Sequence, residues 1–328
     1  MLVIDKKSTK RWSRVGQRAT FGLIMVQLME ALRQENRDDD IMVLTADVST
    51  SAGLERFRSM FPEQYLDVGI SEQNMMGVAA GLSNLGFCVF TTTFAPFQTM
   101  RCLEQIRVDL AYMTAPVKMV GLASGLYHIY LGNTHCCIED IGVLRSIPNM
   151  TILSPADGAE VAKCIEASLE IEGPVYIRLS GGAPMDVVYP EDYEFEVGRG
   201  ILLQEGEDLV IFATGTMVKR ALAVAEILEK DKGVFATVVD IHTIKPIDRE
   251  LIEKYKDSTL VVTMEEHNVT GGLGSAVAEV LGGIRHRSKQ LFFGVRDFYP
   301  HETDYENVMR QCGLAVPDMV AEITENMN

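Results

Sequence analysis

Between Gln17 and Gln34, apolar side chains recur at Phe21, Ile24, Met25, Leu28 and Leu32, the spacing of one helix face. The run Ile41–Thr45 is too short and too uniformly apolar for that period, and it predicts a buried strand. The alternation then repeats. Strands are expected at Tyr65–Gly69, Phe87–Thr91, Val117–Leu122, Thr151–Leu153 and Val175–Leu179. Helices are expected from Ser71 to about Asn84, with Gly86 as a stop, from Pro96 to Tyr112, and from an Asp157 cap to about Ile171. Apolar strands separated by helices imply a parallel sheet covered on both faces.

The pattern fails from Ala183 to about Arg199. The stretch APMDVVYPEDYEFEVGR holds two prolines and five carboxylates and has no helical period, so it reads as a linker. A second α/β series follows. Its strands are expected at Asp208–Ala213, Val234–Val239, Thr259–Met264 and Gln290–Gly294, with helices at Thr216–Lys230, near Asp248–Tyr255 and at Gly274–Leu281. The fold class is therefore α/β, with two consecutive three-layer α/β/α domains. The expected bounds are 1–185, a linker at 186–199, and 200–328.

Composition narrows the function classes. The 328 residues carry a formal charge of −16, which argues against nucleic acid or an anionic membrane as the main partner. No run approaches the ~18 apolar residues of a membrane span. The lead-in MLVIDKKSTKRWSR has no signal-peptide core and reads as a gene start. The six cysteines form no CxxC, which fits reduced thiols and a cytoplasmic location.

Candidate chemistry is densest between Asp47 and His135. In DVGISEQNMMGVAAGL, Glu72 falls in the first turn of a helix. An acid there offsets the helix dipole, and Ser71 is a fair N-cap, so capping alone could account for both. In TTTFAPFQTMR, Phe94 and Phe97 follow a strand end, where two aromatics usually pack into a core. The loop GLYHIYLGNTH carries His128 and His135. All three segments follow strands, and ligands in open α/β sheets bind beyond the carboxyl ends of strands.

These segments also resemble a known family. RATFG at Arg18, ADVSTSAGL at Ala46, FPEQYLDVGISEQNMMGVAAGL at Phe61, TTTFAPF at Thr91, THCCIEDIGVLRSIPNMTILSPAD at Thr134, GPVYIRL at Gly173 and EEHNVTGGLGSAVAEVL at Glu265 are collinear with the C-terminal two-thirds of transketolases. More specifically, the chain resembles the second subunit of a split transketolase. That implies a pyrimidine-binding domain followed by the transketolase C-terminal domain. Deoxyxylulose-phosphate synthase and the β subunit of 2-oxo-acid dehydrogenases share these two domains.

The resemblance assigns roles. Glu72 falls on the glutamate that activates thiamine diphosphate: it bonds N1′ of the aminopyrimidine, and the 4′-imino group then takes the C2 proton. Phe94 and Phe97 fall on aromatics that pack on the pyrimidine, and Asp47 on an acid near the cofactor. His135 falls on a histidine that contacts donor-sugar hydroxyls, with His128 as a possible helper. Arg18 and Ser51 fall on residues that bind the sugar phosphate. The implied activity is transfer of a two-carbon ketol unit from a ketose, a phosphate or related anionic sugar, to an aldose.

The departures carry information too. The loop acid expected four residues before His135 is Leu131, and the glutamine after it is Cys136. The arginine expected after GPVYIRL for a terminal phosphate is Gly181, and Arg178 should point to the other face. An ordinary sugar phosphate held in the usual way is thus put in doubt. No GDG motif occurs, so this chain supplies no metal ligands. Mg²⁺ or Ca²⁺ should come with the diphosphate site of a partner subunit carrying GDG and a downstream asparagine, in an α2β2 assembly in which this chain also self-dimerises. TGGLG at Thr270 reads as packing or a vestigial anion site, and Glu265-Glu266-His267 as structural or interfacial. The rivals are a decarboxylating thiamine enzyme's β subunit, a deoxyxylulose-phosphate-synthase-like enzyme and a non-catalytic assembly subunit.

Overall fold

A computed structural model describes residues 2–35, 37, 40–182, 184–286 and 288–327. Helix α1 (Lys6–Gln34) opens the chain, and the Asp5 carboxylate caps it by accepting the Lys7 and Ser8 amides at 2.9 and 2.7 Å. Gly16, at φ 75°, kinks it, so the helix expected from Gln17 is its second segment. There follow β1 (Ile41–Thr45), α2 (Glu55–Met60), β2 (Tyr65–Asp67), α3 (Glu72–Asn84) and β3 (Cys88–Phe94). The helix expected from Pro96 to Tyr112 is broken into α4 (Ala95–Gln98), α5 (Leu103–Gln105) and a π-helical turn at Ile106–Tyr112. Thr99 contributes to the break, since its hydroxyl bonds the Ala95 carbonyl at 2.7 Å. Next come β4 (Val117–Ser124), α6 (Asp140–Arg145), β5 (Thr151–Leu153), α7 (Gly158–Ser168) and β6 (Val175–Ser180).

The second series comprises β7 (Ile201–Gln204), β8 (Leu209–Ala213), α8 (Met217–Lys232), β9 (Ala236–Asp240), β10 (Thr243–Lys245), α9 (Arg249–Lys254), β11 (Leu260–Asn268), α10 (Leu273–Gly282), β12 (Lys289–Val295), α11 (Tyr305–Gln311) and α12 (Val316–Met327). The apolar pattern had not signalled β7, β10, α11 or α12.

Two sheets result. The first has the order β10-β5-β6-β4-β3-β1-β2, the second β12-β11-β8-β9-β7. Pairing is parallel except where β10 meets β5 and β7 meets β9. Thus β10, which follows the second series' central strands, adds an edge to the first sheet, with Thr243 opposite Leu153. Lys245 Nζ fixes it by donating to the Arg145 carbonyl at 3.0 Å and to that of Ile147.

Between β6 and β7 the described residues form no helix or strand; Ala183, which opens the expected linker, lies outside them. The segment is nevertheless pinned. Asp157 accepts the Val188 and Tyr189 amides, each at 2.8 Å, and Tyr189 stacks on Tyr193 with ring centroids 3.9 Å apart.

Candidate active site

The parallel strands β1, β2, β3 and β4 end on one edge of the first sheet, and most of the candidate residues sit just past those ends. Glu72 opens α3 and is 5% exposed. It does not cap its own helix. Its Oε1 accepts Arg101 Nη1 at 2.6 Å, and the Ser71 hydroxyl donates to the Val68 carbonyl at 2.9 Å instead of to a helix amide. Arg101, from the turn after α4, lays its guanidinium carbon 4.0 Å from the Phe97 ring centroid. The cation thus bridges the carboxylate and the aromatic.

Four rings gather beside this pair. Phe94 and Phe97 meet edge to face at 6.3 Å. His135 lies 5.7 Å from Phe97 and 6.1 Å from Phe94, and His128 lies 5.3 Å from Phe94. Both phenylalanines are half-buried, so neither is an ordinary core residue. Thr134 Oγ1 sits 3.1 Å from His135 Nδ1, which leaves Nε2 for a ligand. His128 is only 2% exposed, yet neither ring nitrogen has a hydrogen-bond partner among the described residues. Burial, then the charges of Arg18 and His135, push its pKa down to about 4, so it is neutral at physiological pH. A buried imidazole with an unused donor and an unused acceptor calls for a polar partner.

Arg18 stands behind this loop, its guanidinium carbon 6.0 Å from the Tyr127 ring centroid. Among the described residues no carboxylate pairs with it. The loop at 47–54 presses on α1: a Cβ on Gly22 would lie 2.0 Å from the Gly53 carbonyl oxygen. That contact seats Gly53, two residues after Ser51, against the helix that carries Arg18. Asp47 follows β1 at φ 59°, exposed, with its amide donating to Asp67 Oδ1 at 3.0 Å. Among the described residues, no hydrogen bond, ion pair or ring contact joins Asp47 or Ser51 to the ring cluster.

The loop bearing both histidines is held by the second series of elements. Glu266, 1% exposed at the end of β11, accepts the Leu126 amide at 2.6 Å, the Thr216 hydroxyl at 2.7 Å and the Tyr305 hydroxyl at 2.6 Å. His267 donates Nδ1–H to the Asn268 carbonyl at 2.7 Å and accepts the Gly142 amide at Nε2 at 3.2 Å. Burial pushes it down to about 4, consistent with that neutral tautomer. The TGGLG loop wraps around Glu265. The Glu265 carboxyl oxygens accept the Leu273 and Gly274 amides at 2.7 and 2.8 Å, so the glycine loop is occupied by a side chain of the same strand–helix unit. Burial, partly opposed by those amides, raises it to about 7.

Arg178 turns away from the site, as its position on the pleat implied. It is buried and bonds Asp140 Oδ2 at 2.8 Å, with the Glu266 and Cys137 carbonyls at 2.9 and 3.2 Å. Gly181 has φ 73° and no side chain to offer. Burial raises the Cys136 thiol to about 12, which removes it as a nucleophile at neutral pH. Among the described residues no group of three or more His, Cys, Asp or Glu side chains is arranged to hold a metal, and no helix is long and apolar enough to cross a membrane.

Sequence reasoning missed Arg101, Tyr127 and the bracing role of Glu266. Arg101 carried a weak signal: a lone cation just past two strand-end aromatics.

Comparisons with known proteins match this layout. The family "Transketolase, pyrimidine binding domain" matches residues 18–184, and "Transketolase, C-terminal domain" matches 198–319. A "Putative transketolase C-terminal section" of Methanocaldococcus jannaschii is 37% identical over 314 residues, covering 95% of this chain and 96% of that protein. The "6-deoxy-6-sulfo-D-fructose transketolase subunit SqwH" of a Clostridium species is 39% identical over 303 residues, covering 90% and 92%. A solved structure described as "Split gene transketolase, inactive beta4 tetramer" superimposes with a TM-score of 0.85 at 40% identity, covering 95% of this chain and 98% of that one. The chain belongs to the transketolase family, and it is similar to the subunits of split transketolases that carry the pyrimidine-binding and C-terminal domains.

Proposed function

We propose that this chain is the half of a two-subunit transketolase that binds the aminopyrimidine of thiamine diphosphate and transfers a two-carbon ketol unit from a ketose to an aldose. The observation that carries the reading is the buried Glu72 carboxylate at an open sheet edge, beside Phe94, Phe97, His128 and His135. When bound, thiamine diphosphate supplies the carbon nucleophile that adds to the ketose carbonyl and carries the two-carbon fragment.

The residues present fit that group. Glu72 offers a carboxylate oxygen, now on Arg101, to a pyrimidine ring nitrogen. The half-buried faces of Phe94 and Phe97 give a flat ring its walls and exclude water, which strengthens the Glu72 hydrogen bond. His135 Nε2 and the unpartnered nitrogens of neutral His128 take and return protons at substrate hydroxyls. Arg18 and Ser51 stand at the rim to orient the sugar, and Asp47 borders the cofactor where a partner closes over it.

Half of the pocket has to come from elsewhere. The sequence lacks GDG, and Ile70, two residues before Glu72, is 77% exposed. In this reading the exposed Ile70 side chain is one of the residues that the partner covers. The partner in this reading carries the diphosphate and Mg²⁺ or Ca²⁺ site, in a cytoplasmic α2β2 assembly. The domain division we infer is 1–185, linker 186–199 and 200–328. The beta4 tetramer described as inactive supports self-association of such a chain without turnover.

The test is reconstitution with the co-expressed diphosphate-domain subunit and a ketose donor screen. Turnover is expected only from the pair and should collapse in Glu72→Gln. Ketol transfer by the purified chain alone, or an unaffected Glu72→Gln complex, would overturn the proposal.

A further inference from the structure

One planar group, the Arg101 guanidinium, makes two contacts at once. Its Nη1 donates to Glu72 Oε1 at 2.6 Å, and its central carbon lies over the Phe97 ring, 4.0 Å from the centroid. These are the carboxylate and the aromatic wall that the proposed function gives to the aminopyrimidine. The two groups are chemically alike. A guanidinium is flat and delocalised, with N–H donors in its own plane, so it bonds a carboxylate by its edge while it stacks on an aromatic by its face. An aminopyrimidine likewise combines a nitrogen edge with a π face.

An empty site has reason to keep such a group. A carboxylate as buried as that of Glu72 calls for a cation or for donors. Among the described residues, Arg101 is its one ion-pair partner. The neighbouring thiol of Cys102 donates to the Phe97 carbonyl at 3.2 Å. Burial, then the Glu72 charge, push that thiol up to about 12, so it is neutral at pH 7 and offers Arg101 no rival anion.

The pair is also free to part. The Arg101 side chain is 44% exposed, which leaves it room to swing outward. Its backbone is held by other means. The Arg101 amide donates to the Pro96 carbonyl at 3.3 Å, and the Arg101 carbonyl accepts Gln73 Nε2 at 3.1 Å. Gln73 follows Glu72 on α3, so the turn after α4 stays docked on α3 when the guanidinium leaves the carboxylate.

We propose that Arg101 is an internal placeholder for the aminopyrimidine: in the empty chain it occupies Glu72 and Phe97, and a pyrimidine binds by displacing it. The inference rests on the cofactor-binding reading of this site and adds what guards it when empty. Affinity for the ring is then lowered by the fraction of chains in which Arg101 is seated. The experiment is isothermal titration calorimetry of the full chain with 4-amino-5-hydroxymethyl-2-methylpyrimidine, the cofactor's ring without its diphosphate. Arg101→Ala should bind this probe about tenfold or more tightly than the native chain. Arg101→Lys keeps the charge but loses the flat stack, so it should fall between the two. The sign decides, because a residue that merely shaped the wall would weaken binding when removed. Circular dichroism checks both folds, and Arg101→Lys and Arg101→Gln carry the comparison if Arg101→Ala does not fold. Equal or weaker binding by the folded variants would overturn the inference, as would the absence of probe binding in every protein. The reconstituted complex separates the two readings. Ketol transfer that collapses in Glu72→Gln, with probe affinity unchanged across the Arg101 variants, sinks the placeholder alone. Tighter probe binding by Arg101→Ala, without ketol transfer from any donor, sinks the transketolase reading and leaves a pyrimidine site guarded by Arg101.

Discussion

The Glu266 carboxylate accepts the Leu126 amide at 2.6 Å, across 140 positions of sequence. The bond ties the histidine loop of one sheet to the strand end of the other. Glu266→Ala leaves one buried donor, on Leu126, and two partly buried ones, on Thr216 and Tyr305, without their acceptor. Each such orphan costs about 1–3 kcal/mol, so chemical denaturation should show a loss of several kcal/mol. Glu266→Gln keeps one acceptor oxygen and should lose distinctly less.

Glu72→Gln removes the carboxylate without changing its size. Turnover of the reconstituted complex should fall about 10²–10⁴-fold, while the thermal midpoint shifts little. Unchanged turnover would return the chain to a non-catalytic assembly role.

His128→Phe separates stability from function. The native imidazole is buried with both nitrogens unsatisfied, so an apolar ring of similar shape should leave stability equal or higher at pH 7. Ketol transfer should fall even so. The folded imidazole titrates near pH 4 and the free one near 6.5, so the native chain loses stability as pH drops through that window. The variant should lose less, which thermal melts from pH 7 to 4 would reveal.

Asp240 gives the opposite slope. Burial raises it from 3.8 to about 7, and Tyr189 donates its hydroxyl to Asp240 Oδ2 at 2.8 Å. Between those pH values the folded chain holds a proton the unfolded chain has released, so this group's contribution falls as pH rises from about 4 to 7. Asp240→Asn should therefore raise the melting temperature at pH 8 and change it little at pH 4. A pH-independent difference between the two proteins would refute the assignment.

What the sequence disclosed follows from range. The central parallel strands were legible because they bury both faces, as β4 does along all eight residues, and are therefore mostly apolar, with Lys118 and Ser124 the polar exceptions in β4. The placement of Glu72, Phe94 and His135 at or beyond strand ends was legible because short segments carry them. The Glu72–Arg101 pair was not, since it depends on the helix after Phe94 breaking at Thr99. β10 was invisible: three residues, Thr243–Lys245, have no period, and only Ile152 and Leu153 on a distant strand make them a sheet edge. Gly181 read as a loss. In the fold a Cβ there would fall 2.9 Å from Thr216 Cγ2, a residue 35 positions later, with the backbone at φ 73°.

The strand β10 also sets a schedule for synthesis. The first sheet has its other six strands once Ser180 has emerged, yet β5 stays an open edge until Thr243–Lys245 follows. At ~5–20 residues per second that wait lasts several seconds. During it, the nascent chain exposes a pairing edge to its neighbours on the same messenger, so slow stretches of translation beyond residue 180 should favour strand exchange between copies.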